Sequence, residues 1–368
     1  MKPIDFGRID TVRVNGRLID AGVASATATA CAVPARGRDL QRGYPSRVLI
    51  AGGRETGGVA SFAEALSAGF AELGLPAEVA APGDILRRFR ELRDRDVLKI
   101  LSLAAVFAAP IARRALCIAH GFPCAALQGW PATLAILASL RVAMSSRGTR
   151  LVAVSDYSAL HLRAIFSLRV DAVIRNPVRP LFLEEARQRN VEREAVTFVG
   201  RLHRAKNVGR LLPAIREVLD ENRGLCAWII GDGPQRTELE RLARGDERIQ
   251  FMGTLSPEQV RERLQRTRVF VSANPSEPFG IVYLEALSQG CAVAMPASGG
   301  GLEIAPHLIG TAIHLFPASM ARGEIASALR NALAATAKVP DLKHYSARSV
   351  AEAYLAVDAC FSRQGNSA

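Results

Sequence analysis

The sequence predicts an α/β fold: two doubly wound, Rossmann-like domains facing each other across a cleft. Three observations predict it. From residue 46 onward, short runs rich in Val, Ile and Ala alternate with longer stretches of helical periodicity, the grammar of parallel βαβ units. The chain has 368 residues, room for two domains at the usual ~100–200 residues each. Glycines follow many of the short runs directly, as at Gly52, Gly200, Gly231 and Gly253. Open α/β sheets bind their ligands just beyond such strand ends.

Composition removes several classes. Hydrophobic residues make up 49% and charged residues 22% of the chain, as in folded domains and unlike disordered chains. The six cysteines are scattered, with no C-x-x-C pair, which excludes a disulfide framework and a clustered zinc site. The start MKPIDFGRID is too polar for a secretory h-region. The apolar stretch 100–112 contains a proline and is shorter than the ~20 residues of a spanning helix. These features predict a cytoplasmic protein that is at most peripheral on the membrane face.

Charge is unevenly spread. Residues 1–190 hold 26 Lys/Arg against 16 Asp/Glu, whereas residues 191–368 hold 21 against 19. The basic half suits an anionic partner. Arg87, Arg88, Arg90 and Arg93 precede the apolar stretch, a pattern suited to an anionic membrane surface. The basic residues are not interleaved with aromatics and no nucleic-acid motif is present, so nucleic acid is disfavoured.

The elements follow in order. Residues 1–44 form an extension in which TVRV-Asn15-Gly16-RLID reads as a small hairpin around a type I′ turn. Residues 45–180 form the N-terminal domain. SRVLIAGG is its first strand, Gly57 and Gly58 open a helix closed by Gly74, and AEVAA is the next strand. An Arg-rich helical stretch and an apolar one run to Ala112, with few strands visible between 82 and 115. ALCIAH, ending at His120, RLVAVS and DAVIRNPV are further strands. Residues 181–193 are the linker, and residues 194–340 the C-terminal domain. Its strands are AVTFVG, CAWIIG, RIQFMG, RVFVSA and CAVAMP. Ser256 caps a helix with Pro257 in its first turn. Residues 341–368 supply a final helix that crosses back to the N-terminal domain.

Two constellations carry chemistry. In Glu277-Pro-Phe-Gly-Ile-Val-Tyr-Leu-Glu285, Pro278 at the first helical position leaves the N–H groups of Phe279, Gly280, Ile281 and Val282 unpaired, an anion site. Gly280 lets a ligand approach the backbone, and Glu285, two turns on, can chelate a vicinal diol through both oxygens. Taken alone, the segment is better explained by helix capping through Glu277 and a solvated Glu285. In Gly200-Arg201-Leu-His-Arg-Ala-Lys206, a guanidinium fork and an ammonium stand close enough to grip one diphosphate. No GK[ST] and no G-x-G-x-x-G is present, so neither a Walker loop nor a nicotinamide fingerprint fits.

In this order and spacing, GRLHRAKN, IIGDGP, RIQFMGTL and SEPFGIVYLEALSQGCAV resemble the donor domain of retaining GT-B glycosyltransferases of family 4. The resemblance runs from about Thr197 to Ile304. It is looser before that, in Gly57-Gly58, AHG at 119–121, VSDYS at 154–158 and VIRNPV at 173–178, where Pro177 replaces the glycine usual in the family.

The resemblance implies a GT-B fold and a metal-independent hexosyltransferase without cofactor. Its donor is a nucleoside-diphosphate sugar, and its acceptor a glycan or lipid-linked glycan of cell-surface polysaccharide or glycolipid synthesis. By similarity Arg201 and Lys206 hold the diphosphate, Glu277 the sugar and Glu285 the ribose. The amides of residues 279–282 line the donor, with Gly57, Gly58 and Gly233. His120 matches the active-site histidine. Front-face substitution with retention needs no protein base. Two alternatives stand beside this: a non-catalytic partner subunit, and a sugar-nucleotide epimerase on the same architecture.

Overall fold

The computed structural model describes residues 11–14, 17–20, 44–52, 58–121, 130–146, 148–184, 192–336 and 339–365. Strands β1 (Thr11–Val14) and β2 (Arg17–Asp20) pair antiparallel, Thr11 opposite Asp20. The intervening Asn15-Gly16 turn lies outside the described residues. The rest divides into two compact units, one drawn from residues up to Pro177 and from His344 on, the other spanning Val178–Lys343.

Unit one alternates strands and helices. They are β3 (Arg47–Ala51), α1 (Gly58–Glu72), β4 (Ala77–Ala80), α2 (Phe89–Arg93), β5 (Val97–Ser102), β6 (Ala115–Ala119) and α3 (Trp130–Ser145). Then come β7 (Thr149–Ala153), α4 (Asp156–Ala164) and β8 (Ala172–Val173). The sheet is parallel throughout, in the order β4-β3-β5-β6-β7-β8. Its central strands read as continuous apolar runs because both faces are covered.

Strand β5 lies in the stretch 82–115, where the sequence made few strands visible. The apolar stretch divides into β5 and a 3₁₀ turn over Leu103–Ile111 that contains Pro110. Lys99 hides the strand from a polarity reading, yet it is fully buried. Its ammonium donates to the carbonyls of Asp94, Val97 and Arg113, and burial pushes its pKa down to about 8. A charge can stay buried when such partners surround it.

The C-terminal helix, α11 (Ala347–Gly365, the helices of unit two being α5 to α10), belongs to the same unit and packs along α1. Arg114 holds its buried Asp358 with a two-point grip, Nε to Oδ1 at 3.0 Å and Nη2 to Oδ2 at 2.6 Å.

 Gly69 on α1 exists for that packing: a Cβ there would sit 2.0 Å from the Ala347 carbonyl oxygen.

Unit two begins with α5 (Pro180–Leu183) and continues through β9 (Ala195–Val199), α6 (Val208–Glu221), β10 (Cys226–Ile230), α7 (Arg236–Leu242), β11 (Ile249–Gly253) and α8 (Pro257–Gln265). It ends with β12 (Thr267–Val271), α9 (Ile281–Ser288), β13 (Ala292–Pro296), β14 (Ile313–Phe316) and α10 (Arg322–Ala334). Helix α6 buries Val208, Leu211, Leu212, Ile215, Val218 and Leu219, one apolar stripe at helical spacing. Ser256 caps α8 in a full capping box with Gln259, and Pro257 occupies the first turn.

The sheet order is β11-β10-β9-β12-β13-β14, all parallel. The connections run one way from β9 to β11 and the other way from β12 onward. The reversal leaves a crevice beyond the carboxyl ends of β9 and β12, the place where open α/β sheets take ligands.

Gly69→Ala tests the packing of α11 on α1. The methyl group meets backbone rather than a side chain that can swing away, and overpacking of this kind costs about 1–3 kcal/mol. At roughly 2–4 °C per kcal/mol, Tm should fall by about 2–12 °C in a thermal melt. An unchanged Tm contradicts the helix contact.

Candidate functional site

The loops after β9 and β12 meet. Asn207 takes the left-handed conformation, φ 50°, where α6 begins. Asparagine tolerates this conformation better than most residues. Its side-chain amide donates to the Ala273 carbonyl at 3.1 Å, which ties the two loops together. Next to it, Lys206 Nζ donates to Glu277 Oε2 at 2.6 Å, and Asn274 Nδ2 donates to the same oxygen at 2.8 Å. Asn274 Oδ1 in turn accepts the Ser276 N–H at 3.1 Å. The Lys206 and Glu277 side chains are 31% and 16% exposed, so a solute can reach both. Arg201 lies exposed on the same loop as Lys206.

The loop after β10 packs under this one. Leu202 N–H donates to the Asp232 carbonyl, and Gln235 N–H to the Leu202 carbonyl. A Cβ on Gly233 would lie 2.4 Å from the Leu202 carbonyl oxygen. Gly233 is thus required for loop against loop, whatever else approaches it.

Helix α9 corrects one expectation. It begins at Ile281, with Gly280 as N-cap at φ 91°, so Pro278 is not its first residue. Phe279 precedes the helix and is buried. The amides of the first turn are therefore those from Ile281 on, with Val282 next. The Tyr283 N–H already turns back to the Gly280 carbonyl at 2.9 Å. Gly280 is needed twice, for its left-handed backbone and because a Cβ would lie 2.5 Å from the Tyr283 ring. A Cβ on Gly301 would come within 2.6 Å of the same ring. The Tyr283 hydroxyl donates to Ser272 at 3.1 Å, and burial raises its pKa.

Glu285 is neither solvated nor open at both oxygens. It is 1% exposed. Arg179 Nε and Nη2 both reach Oε1 at 2.9 Å. Burial pushes the Glu285 pKa up, and the charge and hydrogen bonds of Arg179 oppose that. The Arg179 guanidinium also lies over the Phe182 ring, 4.7 Å from its centroid.

Three expected site residues belong to unit one. Gly57 lies outside the described residues. Gly58 starts α1, and a Cβ there would meet open space, so packing does not demand a glycine at this position. His120 follows β6 with its ring edge-on to Phe62, centroids 4.4 Å apart. Burial, only partly opposed by the nearby Asn176 side chain, pushes the imidazole pKa down to about 4. The ring is therefore neutral near pH 7, and its buried Nε2 has no partner among the described residues.

The residues brought together are Lys206 with Glu277, and Glu285 with the helix start at Gly280 and Ile281. Sequence reasoning passed over Asn274, Arg179, Asn176 and the glycines at 299–301. Gly300 N–H donates to the Glu277 carbonyl at 2.8 Å, and the triple glycine after β13 was the visible signal. A glutamate inside the apolar run IVYLEALS was a signal too, since a buried carboxylate needs a partner. Among the described residues no three His, Cys, Asp or Glu side chains gather to hold a metal ion.

Known proteins resemble this chain in sequence and in fold. Residues 193–335 match the family model described as Glycosyl transferases group 1. The sulfoquinovosyl transferase SQD2 of Arabidopsis thaliana is 34% identical over 115 residues, 31% of this chain and 22% of that protein. The gpi3 subunit of the phosphatidylinositol N-acetylglucosaminyltransferase of Schizosaccharomyces pombe is 26% identical over 39% of this chain and 33% of its own length. The alpha-maltose-1-phosphate synthase of Mycolicibacterium smegmatis is 31% identical over 48% of each chain. The matches thus span less than half the length of these relatives. Among solved structures, the sucrose-phosphate synthase of Thermosynechococcus elongatus superposes with a TM-score of 0.61 at 16% identity, over 88% of this chain and 98% of that one. Anabaena HepE, solved with UDP and glucose, superposes with a TM-score of 0.58 at 16% identity, over the same shares. With its two parallel six-stranded sheets, the chain has the GT-B fold of these solved structures, and its residues 193–335 are similar to the group 1 glycosyltransferases.

Proposed function

We propose that the protein is a retaining, family 4 glycosyltransferase that moves a hexosyl unit from a nucleoside-diphosphate sugar to a glycan or lipid-linked glycan without a metal. The observation that carries this reading is the Lys206–Glu277–Asn274 cluster beyond β9 and β12, with the start of α9 beside it on the same loop. When the bond from the sugar to the diphosphate breaks, negative charge builds on the leaving phosphate. Lys206, Arg201 and the first amides of α9 meet that charge, and groups fixed in advance are the most effective. Glu277 has one oxygen committed to Lys206 and Asn274, and offers the other to sugar hydroxyls. A donor phosphate oxygen accepts the proton of the incoming hydroxyl, so no protein base is invoked. His120, uncharged, serves as a hydrogen-bonding group rather than a cation. The names of the relatives, a sulfoquinovosyl transferase and an N-acetylglucosaminyltransferase subunit, support the reaction class.

The acceptor side includes an anionic membrane surface in this reading. Arg87 pairs with Asp84 at 3.1 Å, and Arg88 pairs with Glu78 and Glu91, which reduces the charge the segment offers with Arg90 and Arg93. Leu86 and Phe89 are each 50% exposed beside them. Residues 97–155 hold six Lys/Arg and no Asp/Glu, which adds to the positive field. Among the described residues no helix is long and apolar enough to cross a membrane.

The reaction is tested with labelled UDP- and GDP-sugars, with and without EDTA. Transfer or slow donor hydrolysis should persist in EDTA. Arg201→Ala should weaken donor binding. Glu277→Ala should lower turnover by roughly 10²–10³, the range seen when one transition-state contact is removed, while nucleoside-diphosphate binding remains. Undiminished turnover in Glu277→Ala contradicts the assignment, and conversion of the nucleotide sugar without any acceptor indicates an epimerase.

His120 gives a pH prediction. Its folded pKa of about 4 lies below the ordinary value of 6.5. The unfolded chain therefore binds more protons between these values, so the stability this group contributes is present above pH 6.5 and is lost as pH falls toward 4. An NMR titration should find the imidazole neutral down to about pH 4. A midpoint near 6.5 contradicts its burial.

A further inference from the structure

We infer that Arg179 is a positioning residue for Glu285: it holds one carboxylate oxygen so that the other faces a ligand diol. The inference rests on the nucleotide-sugar reading, in which that diol belongs to the donor ribose.

The geometry is specific. Both Arg179 contacts, from Nε and from Nη2, fall on Oε1 at 2.9 Å. No described residue bonds Oε2. An ordinary structural pair would use the guanidinium fork on both oxygens, as Arg114 does with Asp358. Here the fork closes on a single oxygen, and the second stays available as an acceptor. Glu285 sits in the middle of α9 among Tyr283, Leu284, Ala286 and Leu287, all buried. Alone, a carboxylate there would favour its neutral form. The adjacent guanidinium favours the ionised form, which accepts hydrogen bonds from hydroxyls most strongly.

Arg179 is itself held in place. Pro180 follows it, which restricts its backbone to extended conformations, and the observed φ −60°, ψ 135° comply. Its side chain is 13% exposed and rests on Phe182. The Phe182 carbonyl accepts Gln289 Nε2 at 2.9 Å. Residues 285 and 289 lie one helical turn apart, so the segment 179–182 grips α9 at two successive points of one face. A guanidinium fixed by a proline, a ring and a second anchor can set the angle of the carboxylate, which a flexible surface cation cannot.

The test is a cycle between the protein and the ligand. Calorimetry measures binding of UDP, GDP and ADP, and of their 2′,3′-dideoxy forms, to the full chain. For the nucleotide that binds, loss of the ribose hydroxyls should weaken affinity at least tenfold in the wild type. In Arg179→Gln that penalty should fall below threefold, while affinity for inorganic pyrophosphate stays within twofold of wild type. Arg179→Lys, which keeps a cation beside the buried carboxylate and so protects folding, should reduce the penalty at least threefold by removing the planar fork. A tenfold penalty that survives in both variants overturns the inference, as does a wild type that binds a nucleoside diphosphate without sensing its hydroxyls. Failure of the wild type to bind any nucleoside diphosphate overturns the nucleotide-sugar reading as well.

Discussion

The ion pair between Lys206 and Glu277 is the interaction on which the candidate site depends. Its two members stand 71 positions apart in the chain. They meet only because β9 and β12 are neighbours in the sheet. The crossover order that separates the two halves of the sheet is therefore what creates the pair. The pair is half-buried, so its contribution to stability is small, but its chemical consequence is large. It places a cation and a carboxylate within one hydrogen bond of each other at a strand-end crevice, where a ligand carrying both phosphate and hydroxyl groups would need them.

The surroundings hold the pair in place mainly through backbone. Asn207 ties the Lys206 loop to Ala273. The glycines at 299 and 300 let their segment lie against the carbonyl of Glu277, from which a Cβ on Gly299 would be 2.9 Å away. Tyr283 fills the space between Gly280 and Gly301 and anchors to Ser272. These contacts leave little freedom to the loop from 274 to 280. A rigid site of this kind can meet developing charge without reorganising. The second glutamate repeats the design eight residues on: Glu277 is held by Lys206, and Glu285 by Arg179.

Much of the fold was legible because both sheets follow the strand–helix alternation directly. The strand runs of unit two are bounded by glycines and a Ser-Pro cap, and each carries its own signal. Strand β5 was not legible, because Lys99 interrupts its apolar run and only tertiary carbonyls explain why a lysine can be buried there. The start of α9 was misplaced by three residues because proline at a first helical position is common, whereas here a left-handed Gly280 makes the cap. The 277/285 pair could be read from spacing and resemblance. Its partners could not, since Arg179 and Glu285 lie 106 positions apart and only the folded chain joins them.

The most direct test of the central pair is calorimetry of nucleoside-diphosphate binding to the wild type, Lys206→Met, Glu277→Gln and the double variant. If Glu277 competes with phosphate for Lys206, Glu277→Gln should bind a nucleoside diphosphate more tightly than the wild type. Lys206→Met should bind it more weakly, and the double variant should match Lys206→Met. Independent, additive effects of the two substitutions, or no gain from Glu277→Gln, would contradict the account.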